Sequence, residues 1–200
     1  KHDYIYNKAS KSITLKENLI VIKYARLSPC SPFLICIAVD PSENITYLKL
    51  FSMHKENFIQ SIDLSASYPQ AIVTDITSVP YTESRNSSLD SDRKYKDELH
   101  HAEKLILDEC FIVSLNYEIS EFEDHDNILL YSIDEELGQI TFQNSIRTDS
   151  SVTCLSNFIN NTFIASGESI ELFKINYSVK WNSFLIKLIS NKLEMNGLIK

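Results

Sequence analysis

Glycine is scarce: Gly138, Gly167 and Gly197 are the only three in 200 residues. Phosphate cradles use glycine where backbone must approach a ligand, and neither G-x-x-x-x-G-K-[ST] nor G-x-G-x-x-G occurs. Nucleotide binding by those two routes is excluded. No apolar run approaches the roughly 20 residues that span a bilayer, and no signal-peptide pattern is visible. Positive charge is also short. Nineteen Lys and Arg face 27 Asp and Glu, for a net charge of -8, which argues against a dedicated binder of nucleic acid or anionic membrane. The four cysteines, Cys30, Cys36, Cys110 and Cys154, form no C-x-x-C pair. Among apolar neighbours they read as reduced thiols acting as small hydrophobes rather than as a secreted disulfide framework. The chain reads as soluble and intracellular. Its start at Lys1 and its end in Gly197–Leu198–Ile199–Lys200 read as the limits of an excerpt from a longer protein.

What is present is a 44% hydrophobic chain cut into short segments. The clearest are 19–24, 33–39, 45–51, 58–64, 71–76 and 105–115, then 128–133, 139–146, 152–158, 162–165, 170–175 and 181–189. Each has the length of a typical strand, and most alternate with period two or carry β-branched runs. Turn-forming clusters such as Asp40–Pro41–Ser42 and Thr148–Asp149–Ser150 separate them. This rhythm predicts an all-β, antiparallel fold without helical crossovers. Four N-x-[ST] matches, at Asn44, Asn86, Asn160 and Asn176, are expected by chance in a chain this rich in Asn and Ser.

An internal repeat is more informative. The segments beginning Glu43–Asn44–Ile45, Asp126–Asn127–Ile128 and Glu168–Ser169–Ile170 each place a polar turn before an alternating strand. Ile128 and Ile170 stand 42 residues apart, within the roughly 40–45 of one four-stranded propeller blade. The predicted fold class is therefore all-β: a partial β-propeller over 1–200, with blades at about 13–64, 69–146 and 151–190, belonging to a larger multi-propeller protein. The extra length between the first two repeats falls in a polar insertion, about 82–104, too poor in aliphatic residues to order itself by burial.

Candidate chemistry is thin. His100–His101 with Glu103 lacks the i, i+4 spacing of a metal site. His125–Asp126 has no nucleophile elbow to serve and reads as a polar hairpin. Glu118, Glu121, Glu123, Asp124 and Asp126 form an acidic run without calcium-loop spacing. Trp181, the sole tryptophan, sits near Phe184 in an alternating segment and is expected in the core, with an exposed interface anchor as the alternative. No catalytic, cofactor-binding or metal-ligating residue is assigned, and partner-contacting residues look like any other polar surface.

The stretch from Cys110 to about Asn176 carries a resemblance. Phe111–Ile112–Val113–Ser114–Leu115, an acidic hairpin, Asn127–Ile128–Leu129–Leu130–Tyr131–Ser132–Ile133, and the later strands through Ile170–Ile175 follow in a characteristic order. This order resembles the third propeller of the triple-propeller scaffold family. That family includes the large subunit of the damaged-DNA-binding complex, the largest cleavage and polyadenylation subunit and a splicing factor 3b subunit. Two glycine positions of the family, after the Phe111 strand and before the Ile128 strand, are not glycine here, as in a diverged yeast member of the cullin-ligase adaptor branch. The resemblance implies a non-catalytic nuclear adaptor linking a cullin ubiquitin ligase to substrate receptors in DNA replication and repair. The alternative within the family is a scaffold among RNA-processing subunits. A propeller-type hydrolase or lectin would instead bring carboxylates or histidines together on one face. No cofactor, membrane, direct nucleic-acid contact or small-molecule substrate is expected.

Overall fold

The computed structural model describes residues 21–27, 32–83, 106–117, 125–134, 137–159, 161–178 and 180–190. Nearly all of them lie in three four-stranded antiparallel sheets, each wound up and down in chain order. Sheet 1 holds β1 (Val21–Leu27), β2 (Phe33–Asp40), β3 (Ile45–Ser52) and β4 (Asn57–Asp63). Asp63 caps the one-turn helix α1 (Leu64–Ser67), accepting from the Ala66 N–H at 2.9 Å. Sheet 2 holds β5 (Ala71–Glu83), β6 (Ile106–Tyr117), β7 (Ile128–Asp134) and β8 (Gln139–Ile146). Sheet 3 holds β9 (Val152–Asn157), β10 (Thr162–Gly167), β11 (Ile170–Ser178) and β12 (Ser183–Ser190).

The sheets stack face to face in chain order, with the first strands β1, β5 and β9 neighbours along one side and the fourth strands β4, β8 and β12 along the other. Sheet 2 is covered on both faces, so β7 is a near-continuous apolar run, Ile128 to Ile133, buried throughout. One core joins Ile35, Leu48 and Leu50 of sheet 1 to Phe111, Leu129 and Tyr131 of sheet 2. A second joins Ile112, Ile128 and Leu130 of sheet 2 to Phe163, Phe173 and Ile175 of sheet 3. Each fully buried side chain of this size contributes roughly 1.5–3 kcal/mol.

The ladders repeat in detail. Every first strand carries a bulge near its start, leaving Lys23, Thr74 and Thr153 as the extra residues. Every third-to-fourth pair shifts register after a leucine, at Leu50/Phe51, Leu130/Tyr131 and Leu172/Phe173, leaving Ile59, Gln143 and Ile189 extra. The third strands of the sequence repeat do lie in three successive sheets. The bulges correct its alignment, however: Leu48, and not Ile45, corresponds to Ile128 and Ile170. The β2–β3 hairpin is longer at that end, so similar turns mislead by three residues.

In five hairpins four residues separate the strands, across 40–45, 52–57, 134–139, 157–162 and 178–183. The last turn residue is left-handed in each: Asn44 at φ 55, Glu56 at 52, Gly138 at 63, Asn161 at 64 and Asn182 at 49. Asparagine tolerates this region better than most residues, which lets the chain make such turns with little glycine.

Candidate functional site

The stack has two ends, and they differ. At the end reached by the β2–β3, β6–β7 and β10–β11 hairpins, a cleft lies at each of the two junctions between sheets. One, of about 340 Å³, is lined by Asn116, Tyr117, His125, Arg147, Asp149 and Glu168 among others. The other, of about 590 Å³, is lined by Lys23, Val39, Thr46, Ser65, Pro69 and Ile72 among others. Each forms where the connection from one sheet to the next passes a hairpin end.

The smaller cleft has a hydrogen-bonded floor. The Asn127 side chain donates to Thr148 Oγ1 at 2.7 Å, and its carbonyl oxygen accepts from the Thr148 N–H at 2.8 Å. Asn127 and Thr148 are both buried. Thr148 Oγ1 in turn donates to the Ser150 carbonyl at 2.6 Å, so the floor is a closed chain of satisfied groups. Tyr117 donates to the Asp126 carbonyl at 3.0 Å, and the His125 ring meets it edge-on at 5.7 Å. Burial first, then Tyr68 and Asp126 nearby, push the Tyr117 hydroxyl up to about 12. It stays a neutral donor at physiological pH. Side chains of both charge signs around a polar floor suit a hydrogen-bonding loop or peptide.

At the opposite end the turns expose apolar groups. Leu137 in the β7–β8 turn is 70% exposed and Trp181 in the β11–β12 turn 66%. These occupy the same place in equivalent turns, where sheet 1 has Lys55. Phe158 and Ile159, in the β9–β10 turn, are exposed at this end as well. Lys180 lies over the Trp181 ring at 4.8 Å.

The expectation that Trp181 is a core residue is thus corrected. The strand begins at Ser183, and the inward positions of β12 are taken by Phe184 and Ile186. Alternation placed a strand here but could not see that Trp181 stands in the turn before it. Cys36 and Cys110 are buried and in no disulfide, as expected, whereas Cys154 is exposed. Burial pushes the Cys36 thiol up to about 11, against the opposing effect of Lys49 beside it. Asp126 accepts from the Ser145 hydroxyl and, with His125, does sit in a hairpin before β7. Of the N-x-[ST] matches, Asn44 is an exposed turn residue and Asn176 lies half-buried in β11. Cys30, Asn86, His100, His101, Glu103, Glu118, Glu121, Glu123, Asp124 and Asn160 lie outside the described residues. Among the described residues, no group of three or more His, Cys, Asp or Glu is placed to hold a metal ion. The Asn127–Thr148–Ser150 floor and the Phe158–Ile159 pair were missed as features, because only tertiary placement distinguishes them from ordinary turn residues.

No curated protein and no solved structure matches the chain. Residues 29–200 match the family described as "Uncharacterised protein YJR039W C-terminal domain", and the chain belongs to that family.

Proposed function

We propose that the three sheets are successive blades of a β-propeller whose role is to hold protein partners together without itself doing chemistry. The observation that carries this reading is a contact repeated at equivalent positions. Gln60 of β4 uses its amide oxygen to accept from the Ile140 N–H on the β8 edge. One sheet later, Asn144 of β8 accepts from the Ile186 N–H on the β12 edge at 3.1 Å. The bulges make Gln60 equivalent to Asn144, and Ile140 equivalent to Ile186. An equivalent contact therefore joins sheet 1 to sheet 2 and sheet 2 to sheet 3, which supports a common step between them. Repeating such a step about an axis is how blades cover one another's faces.

A rigid stack with polar clefts at one end and exposed Leu137, Phe158 and Trp181 at the other supports the scaffold reading, since aromatic anchors on fixed turns favour protein interfaces. The resemblance to triple-propeller scaffolds narrows it to a nuclear adaptor between a cullin ubiquitin ligase and substrate receptors. Affinity purification of the full-length protein from nuclear extract tests this. Recovery of a cullin and its receptors, lost on Trp181→Ala with Leu137→Ser, is the expected result. Recovery of RNA-processing subunits moves the protein to the other branch of the scaffold family. Retention of every partner by the double variant removes the turn end from the interface.

A further inference from the structure

Each sheet has a forward face, turned toward the next sheet in the chain. In sheet 1 its centre is Ile35, Leu48 and Leu50; in sheet 2 it is Ile112, Ile128 and Leu130. All six side chains are 0% exposed. The same ladder positions in sheet 3 are Ile164, Ile170 and Leu172. The apolar pattern is kept there, yet all three are only half-buried. The rim changes as well. Ser52 and Ser132 correspond to Lys174, while Asn57 and Thr141 correspond to Lys187. Lys174 and Lys187 are exposed and stand directly opposite one another across β11 and β12. Like charges so placed repel and destabilise a sheet, so this pair fits an acidic partner.

We infer that the forward face of sheet 3 is a docking surface for one further four-stranded sheet of the same repeat. That sheet carries carboxylates opposite Lys174 and Lys187 and comes from another part of the longer protein for which this family is the C-terminal domain. The inference rests on the blade reading above and names the face that continues it. A second copy of this chain does not fit. The opposite face of sheet 1, which would have to cover sheet 3 in a head-to-tail contact, already buries Cys36, Ala38 and Phe51. Two forward faces brought together would oppose four lysines.

Cys154 supplies a reporter. Its ladder position in β9 is that of Asp75 in β5, and Asp75 reaches across to accept from the Leu155 N–H of the next sheet at 2.8 Å. Cys154 is exposed, while Cys36 and Cys110 are fully buried. The test is the rate of maleimide labelling of Cys154 in purified full-length protein carrying Cys30→Ser, with labelled sites located by peptide mass mapping. Covered Cys154 should react at least about tenfold more slowly than in unfolded protein. Charge reversal by Lys174→Glu with Lys187→Glu should restore most of that rate. Free reaction of Cys154 in the intact wild-type protein overturns the inference. Protection that rises with protein concentration assigns the face to a second copy, and protection only when a co-purifying protein is added assigns it to that partner; either overturns it. The scaffold reading falls on a different result, the absence of any partner in the affinity purification.

Discussion

The junction between sheets 1 and 2 and the junction between sheets 2 and 3 share an equivalent edge contact but are otherwise bonded differently. At the first, the Gln60 amide both donates to and accepts from the Ile140 backbone, and most of the remaining contact is aliphatic and aromatic. At the second, many side chains reach across to backbone. Asp75 accepts from Leu155 N–H, Asn116 from Val152, Gln143 from Phe184 and Asn144 from Ile186, and Tyr81 accepts from Tyr177. Thr74 donates to the Val152 carbonyl at 2.7 Å. Across the two junctions, the N–H groups of Ile140 on β8 and of Phe184 and Ile186 on β12 are engaged, on outer strands that a sheet would otherwise leave open. The lesson is that register and bulge position are what repeat here, while the side chains that meet the exposed edge are free to vary.

Gly167 offers the strongest way to break the second junction. A Cβ there would lie 1.9 Å from the Ser151 carbonyl oxygen, so Gly167→Ala must move backbone. The expected loss is about 3 kcal/mol, read from a denaturant midpoint, with Leu115→Ala at the equivalent place in sheet 2 as the comparison. A loss under about 0.5 kcal/mol would mean that the linker gives way freely. Next in size is the contrast between the two sets of latches. Asp75→Ala leaves the Leu155 N–H unpaired beside an emptied site and should cost about 2 kcal/mol, whereas Gln60→Ala at the half-buried outer edge should cost about 1. Equal losses would remove the distinction between the junctions.

Alkali should separate the junctions too. Tyr131, Tyr117 and Tyr68 all pack in the first core, and burial raises each hydroxyl, Tyr117 to about 12. The folded state holds these protons more tightly than the unfolded chain, whose tyrosines titrate near 10. Their contribution is therefore complete below about pH 10 and is lost as pH rises from there toward 12. Denaturant midpoints at pH 8 and pH 11 should fall less in Tyr131→Phe than in the wild type. An unchanged slope would mean that Tyr131 titrates normally. The smallest effect is a gain: Glu56→Gly relieves a left-handed residue in the β3–β4 turn and should stabilise by about 0.5 kcal/mol in the same assay.

Much of this was readable from residues. Period-two alternation and turn clusters placed the strands, and the spacing of Ile128 and Ile170 placed equivalent strands in neighbouring sheets. Two things were hidden. The β2–β3 ladder runs three pairs further toward its turn than the β6–β7 and β10–β11 ladders, a length that composition does not mark, so the true alignment of Leu48 with Ile128 was invisible. Exposure at a turn depends on which neighbour is inward, so Trp181 was indistinguishable from a core anchor such as Phe184. The polar clefts were hidden for a similar reason, since Asn127, Thr148 and Ser150 are separate turn residues until the fold joins them.

The clearance at Gly167 has a mechanical meaning. One hydrogen atom sets how near the third sheet may come to the strand connection that delivers it. At the matching positions, Ala38 and Leu115, a side chain fills the place. A single methyl group there would act as a shim, prying β10 from the connection that leads into β9.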